Sequence, residues 1–251
     1  MTPRPAKFHT PGGAAVYKSA RSGIIKGGID AMSARNEFDR ELEELHLELI
    51  RMGGMIEEAI DLSITALEKR DRELAETVIA NDRKIDDLDH AIEARCLSLL
   101  LRQQPVASDL RAISTALKMV TDMERIGDHA ADIADLTLRF GDGPFIKTLE
   151  HIPLMARIAS SMVKDSIGAF VKSDANLSQE IIRRDDEVDQ LFETVKREII
   201  AILTNSAESA DQAVDFLMIA KYLERIGDHA VNICGWVIFS VTGRHKDAKI
   251  L

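Results

Sequence analysis

The chain has 251 residues, enough for one large domain or two of about 100–150 residues. Aromatic residues make up only 4%, proline is scarce, and Leu, Ile, Ala, Glu, Arg and Asp dominate, which is the composition of an all-α protein. A formal net charge of −10 argues against a general nucleic-acid surface, two cysteines argue against a disulfide framework, and no apolar run reaches the roughly 18–20 residues of a membrane span.

Residues 1–34 differ from the rest. They hold Pro3, Pro5, Pro11 and several glycines, and their charges are nearly all basic, from Arg4 and Lys7 to Lys26. No sustained apolar stretch marks a secretory signal. The reading is a flexible N-terminal extension, with Met32 as an alternative start.

A first helix is expected from about Asn36 to Lys69, because Phe38, Leu42, Leu45, Leu49, Met52, Ile56, Ile60, Ile64 and Leu67 keep one stripe. Asp71 reads as the N-cap of a second helix, which carries Leu74, Val78, Ile85, Leu88, Ile92, Cys96 and Leu99. That helix should end before Pro105, since Gln104 is disfavoured in the α conformation there. A third helix is expected from Ala107 to Phe140, followed by a break at Gly141-Asp142-Gly143-Pro144. The plan then repeats. Helices are expected over Ile146–Lys172, Ala175–Thr204 and from about Ser209 to Val241, where Gly243 stops the last. Six long helices with short connections predict two tandem, pseudo-symmetric antiparallel three-helix bundles, at 35–142 and 143–251. Cys96 and Cys234 fall in apolar helical runs and read as buried thiols of a reducing, cytoplasmic compartment.

One seven-residue string occurs twice without change. Glu124-Arg125-Ile126-Gly127-Asp128-His129-Ala130 returns as Glu224 to Ala230, an offset of 224 − 124 = 100. Such identity points to a duplicated unit. On a helix, Glu124 and Asp128 stand one turn apart on one face, as do Glu224 and Asp228. Like charges at that spacing disfavour a helix by roughly 0.2–0.5 kcal/mol, and a helical glycine costs about 1 kcal/mol relative to alanine. A cation between the carboxylates would offset the first penalty. Close approach of a neighbouring element or ligand would use the missing Cβ of Gly127 and Gly227.

The middle helix of each half carries a second pair, Asp82/Asp86 and Asp185/Asp189, offset by 185 − 82 = 103. At 1.5 Å rise per residue, each middle helix climbs roughly 25 Å to its loop and the next helix returns roughly 25 Å to its own pair. The two pairs of each half therefore reach one level. Four carboxylates from two helices make a hard, oxygen-rich site for a divalent or trivalent metal ion. The bland alternative is a solvated acidic face paired with Arg83, Arg125, Arg184 or Arg225. His129 and His229 lie about 100° around the helix from their aspartates, which suits an interhelical hydrogen bond better than ligation. Asp132, His129 and His229 are weaker metal candidates, Asp89 and Asp135 weaker still, and Trp236 reads as packing. No nucleophile elbow, P-loop, G-x-G-x-x-G or zinc-protease pattern is present, which points away from an enzyme.

At these residues the sequence resembles the PhoU family, accessory and regulatory proteins of bacterial phosphate transport. The resemblance spans about residues 35–243. It rests on Gln103-Gln104-Pro105-Val106-Ala107-Ser108-Asp109-Leu110-Arg111, on both repeated strings and on Lys221-Tyr222-Leu223. It implies two three-helix bundles with twofold pseudosymmetry, and acidic motifs that bind multinuclear metal clusters, iron among them, with Mg, Mn and Zn as alternatives. The matching positions are Asp82, Asp86, Glu124, Asp128, Asp185, Asp189, Glu224 and Asp228. It further implies a homodimeric negative regulator of the phosphate-starvation response. This would be an adaptor between the ATPase subunit of the phosphate ABC transporter and a sensor histidine kinase, peripheral to the membrane through those partners and restraining uptake. Two other classes stay open on the residues alone: a carboxylate-bridged metalloenzyme or metal store, and a metal-free structural interaction protein.

Overall fold

The computed structural model describes the backbone of residues 13–102, 105–140, 145–146, 150–205, 210–245 and 248–249, with side chains from Arg35 to Arg244 except Arg102. The order is α1 (Gly13–Lys69), α2 (Arg72–Arg102), α3 (Ala107–Arg139), α4 (His151–Lys172), α5 (Ala175–Asn205), α6 (Ala210–Thr242), β1 (Arg244–His245) and β2 (Ala248–Lys249). The fold is all-α, two three-helix bundles, with a small antiparallel β1–β2 pair after α6 that helical periodicity does not announce. None of the described helices is long and apolar enough to cross a membrane.

The helical backbone begins at Gly13, well before the Asn36 that periodicity suggested. Ala14, Ala15, Ala20, Ala31 and Ala34 are strong helix formers and outweigh the interspersed glycines. Residues 1–12 lie outside the described residues, as do the break at 141–144, Gln104 and the loop at 206–209. By compactness the chain divides into Met1–Glu43 and Glu44–Leu251. In the first unit, Arg35 and Asp39 form an ion pair of 2.9 Å across one helical turn. The second unit holds both bundles and all the candidate site residues.

The duplication is visible at the turns. Arg70 and Ser173 both adopt the left-handed conformation, with φ of 55° and 52°, and each is followed by an aspartate. The amide of Asp71 reaches back to the Ala66 carbonyl at 2.9 Å, and that of Asp174 to Ala169 at 2.8 Å, the bond that closes a Schellman turn. Asp71 Oδ1 then accepts from the Leu74 amide at 3.0 Å, and Asp174 Oδ1 from Asn176 and Leu177 at 3.0 Å each. Both aspartates are N-caps. Changing Asp71 to alanine is expected to cost about 1 kcal/mol, a fall in thermal midpoint of about 2–4 °C, with Asp174→Ala matching it. Calorimetry showing no change for either would refute the capping role.

The predicted stripe of α1 from Leu45 to Leu67 is buried, as are Ile85, Ile92 and Cys96 of α2 and Ile113, Met119, Met123 and Ile126 of α3. Ile152, Met155 and Met162 of α4, Ile181, Val188 and Val195 of α5, and Phe216, Ile219 and Leu223 of α6 fill the other bundle. Burial pushes both the Cys96 and Cys234 thiols up to about 12, so they stay protonated core residues.

The bundles pack along two antiparallel seams. In one, a Cβ on Gly53 of α1 would come 2.5 Å from Cδ1 of Ile167 of α4, so the missing side chain sets the approach. Glu57 pairs with Lys164 at 3.3 Å beside it. In the other, Arg111 donates to the Ser240 carbonyl at 3.2 Å, Thr115 to that of Trp236 at 3.3 Å, and Arg139 pairs with Asp215 at 3.2 Å. His129 and His229 face each other in this α3–α6 seam, with ring centres 5.6 Å apart, where a pseudo-twofold relating the halves would pass.

Between the bundles, α4 starts at His151, later than the Ile146 that periodicity suggested. Tertiary contacts capture the residues before it. Phe145 stacks edge-on against Phe140 and Phe216, the Ile146 amide donates to the Gln212 side chain, and the Arg70 guanidinium sits 3.8 Å from the Phe145 ring centre. Pro153 then falls in the first turn of α4, where its missing N–H has no helical partner to lose.

Candidate metal centre

Asp82 and Asp86 stand one turn apart on α2, and Glu124 and Asp128 one turn apart on α3. The antiparallel α2–α3 hairpin brings them to one level, as the residue count requires. Carboxylate oxygens of Asp82, Asp86 and Asp128 all lie within 4.8 Å of one another. The glycine of the repeated string explains how they get so close. A Cβ on Gly127 would lie 3.1 Å from Cδ1 and Cγ2 of Ile85 and 3.3 Å from Asp82 Oδ1. Gly127 is thus the floor on which α2 rests its aspartate, and the close approach is by a neighbouring helix.

The second half repeats the glycine contact. A Cβ on Gly227 would come 2.8 Å from Asp185 Oδ1. That oxygen is buried and has no hydrogen-bond partner, an orphaned acceptor facing the backbone of α6.

The electrostatics follow from crowding. Asp82 is pushed up to about 6, first by burial and then by Asp86, Asp128, Glu124 and Asp132. Asp185 is pushed up to about 6 in the same way, by burial and then by Asp189, Asp228, Glu224 and Asp186. Burial also raises Glu124, with Asp128 adding to it, Arg125 opposing it, and Asp89 and Asp86 contributing. Asp189 is raised by burial and by Glu224, and Lys221 opposes this. Among the described residues, only Asp82, Asp86 and Asp128 bring carboxylate oxygens within 4.8 Å of one another. Glu124 joins them through its field at Asp82, and Asp189, Glu224 and Asp228 act on Asp185 in the same way without forming such a cluster.

Arginine pairing accounts for only part of this charge. Arg125 reaches Asp128 at 2.9 Å and Glu124 at 3.3 Å, but its side chain is 56% exposed. Arg184 turns away to Asp165 at 2.6 Å. An oxygen-only donor set, an orphaned buried oxygen and a cradle that a Cβ would fill together fit a hard cation.

The histidines turn from the carboxylates into the α3–α6 seam. His229 Nδ1 lies 2.8 Å from Asp122 Oδ1, the expected interhelical hydrogen bond, and Asn232 donates to the same oxygen at 3.3 Å. His129 does otherwise. Its ring stacks on Tyr222 at 5.3 Å, both nitrogens lack a hydrogen bond, and Asp132 approaches only to 3.5 Å. The two arrangements are equivalents under the offset of 100, since Asp122 matches Tyr222. Burial holds His129 below the usual imidazole value, against the pull of Asp132. Asp132 lies at the rim of the first group, where it contributes to the field at Asp82. Trp236 packs edge-on against Phe239 at 5.9 Å.

A family model described as the PhoU domain matches residues 49–137 and again 152–237. The chain belongs to the PhoU family. The accessory protein PhoU homolog of the phosphate-specific transport system of Clostridium acetobutylicum is 42% identical over 214 residues, covering 85% of this chain and 98% of that protein. The PhoU accessory protein of Escherichia coli is 31% identical over 208 residues, covering 83% of this chain and 86% of that protein. The crystal structure of PhoU from Pseudomonas aeruginosa superposes with a TM-score of 0.79 at 32% identity, over 82% of this chain and 100% of that one.

The first of these matches contains Asp82, Asp86, Glu124 and Asp128, and the second Asp185, Asp189, Glu224 and Asp228. Helical spacing alone does not single out Lys221, Tyr222 or Asp122. The signal for Lys221 is its position three residues before Glu224, an i, i+3 pair. A pH dependence follows from the raised carboxylates. Asp82 and Asp185 bind a proton more readily folded than unfolded. Between about pH 4 and 6 the folded PhoU chain therefore holds more protons, and its metal-free stability falls as pH rises through that window, levelling above it. Both groups are half exposed, which limits the effect to about 2–4 °C. With chelator present, the thermal midpoint should be higher at pH 5 than at pH 7, and a midpoint that rises over that interval would contradict the crowding.

Proposed function

We propose that this PhoU-family protein is a negative regulator of the phosphate-starvation response, an adaptor rather than an enzyme. In this reading it joins the ATPase subunit of the phosphate ABC transporter to a sensor histidine kinase, restrains uptake when phosphate is plentiful, and works as a cytoplasmic homodimer held at the membrane by its partners. What carries the reading is that both PhoU domains keep the same acid-and-glycine arrangement, in a chain whose relatives are named as accessory proteins of phosphate transport.

Asp82, Asp86, Glu124 and Asp128 hold one metal centre, and Asp185, Asp189, Glu224 and Asp228 the other. The chemistry of the donors favours Mg, Mn or ferric iron over softer ions, and clusters of iron over a lone ion fit the number of carboxylates. A bound ion neutralises the acids and ties α2 to α3 and α5 to α6, stiffening the surface presented to partners.

The test is genetic and biochemical. A strain lacking the gene should express phosphate-starvation genes at high phosphate, and the wild-type gene should restore repression. Protein purified without chelator should carry metal and capture the transporter ATPase and the kinase. Normal repression in the deletion strain would end the regulatory reading; a metal-free protein that regulates normally would end the metal part alone.

A further inference from the structure

The two acidic groups are copies in sequence but not in charge. Under the offsets of 100 and 103, Thr121 matches Lys221 and Asp89 matches Phe192. The Lys221 ammonium contacts both carboxylate oxygens of Glu224. It also lies 5.3 Å from the ring centre of Phe192, on α5 one turn from Asp189. In the first domain the same two positions hold a neutral hydroxyl and a further carboxylate, and Asp89 adds its negative field to Glu124. One group has gained an acid where the other has gained a cation on an aromatic platform.

The cations near the two groups are not equivalent. Arg125 bridges Glu124 and Asp128 from a side chain that is 56% exposed. Pairs of that kind contribute about 0–1 kcal/mol and yield readily to a divalent ion. Lys221 is 37% exposed and its partner Glu224 only 14%. Water screens that pair less, and the Phe192 ring adds a cation–π contact, which it shares with Lys196 at 5.8 Å. A metal entering the second group must displace Lys221 from Glu224. A metal entering the first need only move a solvated guanidinium.

We infer that Lys221 is a resident cation that competes with metal at the second acidic site, so the two PhoU domains load unequally and the first fills well before the second. The inference deepens the metal reading above and rests on it. It gives the halves different work: the first domain responds to scarce metal, and the second is held by its own lysine until metal is abundant.

The experiment titrates the full-length, metal-free chain with Mn(II), following free ion by electron paramagnetic resonance and heat by calorimetry. The wild type should show one tight class of site and a second at least tenfold weaker. Asp82→Asn with Asp128→Asn should remove the tight class and leave the weak one. Lys221→Met keeps the aliphatic stem over Phe192 without the charge, and should tighten the weak class at least tenfold; Lys221→Thr, the residue of the first copy, should do the same. Lys221→Arg should behave as the wild type, and adding Asp185→Asn to Lys221→Met should cancel the gain. Circular dichroism melts confirm that each variant is folded. Two equal classes in the wild type, or a weak class unmoved in both neutral variants, would overturn the role of Lys221 and leave the metal reading standing. Absence of Mn(II) binding at either group would overturn both.

Discussion

Changing Asp82 and Asp128 together to asparagine is expected to stabilise the metal-free protein and to strip metal from the first PhoU domain. The carboxylates of Asp82, Asp86 and Asp128 meet within 4.8 Å. Like charges at that range repel by a few kcal/mol at an effective dielectric of about 20, which screening at a half-exposed site cuts to about 1 kcal/mol. Asparagine keeps the shape of each side chain, so the packing of Asp82 against Gly127 survives while two charges go. The metal-free midpoint should rise by about 2–4 °C. On the proposed metal reading, the same change removes two direct ligands. Since losing a supporting partner outside a metal's ligand shell already costs about 10–100-fold in affinity, metal binding should fall by at least about 100-fold. Melting with chelator and with excess Mn(II), beside elemental analysis, checks both signs. A variant less stable than the wild type in chelator would mean that these acids serve the fold, not an ion.

The second large effect is structural. Phe216 is fully buried and sits where α3, the connection and α6 meet, 4.8 Å from the Phe140 ring and 5.3 Å from that of Phe145. Phe216→Ala should cost about 3–5 kcal/mol through lost contacts and the cavity left behind. In a chain of this size that lowers the midpoint by roughly 10 °C or more. Because Phe140 ends α3 and Phe145 precedes α4, the loss should loosen one bundle from the other as well as unfold α6. Urea unfolding at single-residue hydrogen-exchange resolution distinguishes a local from a shared effect. Phe216→Leu, which keeps most of the volume, should lose about 1.5 kcal/mol or less. An alanine variant as stable as the wild type would remove the aromatic cluster from the account of how the halves are joined.

The duplication, the six helices and the approach of Asp82 and Asp86 to Asp128 were legible because they follow from local rules of helix geometry. The N-caps at Asp71 and Asp174, the end at Gly243 and the matched climb from Asp86 and back to Glu124 need only helix geometry. What escaped depends on which residues meet across the fold. The start of α4 moved because Phe145 and Ile146 bond to α6. His129 and His229 share a seven-residue context, yet they differ because their partners across the seam are Tyr222 and Asp122, and no local pattern pairs those. The role of Gly127 was legible as a need for close approach; that Asp82 and Ile85 make that approach was not.

The α3–α6 seam has a consequence for assembly. Many proteins form a dimer by laying one helix of each copy antiparallel across a twofold axis. Here that embrace is made within a single polypeptide, between a domain and its own duplicate, with Asp122 answering His229 on one side and Tyr222 answering His129 on the other. The surface that could recruit a twin is already occupied from inside. Two whole chains that keep this seam closed join through other faces, and an exchange of α6 between chains would rebuild the same contact across them.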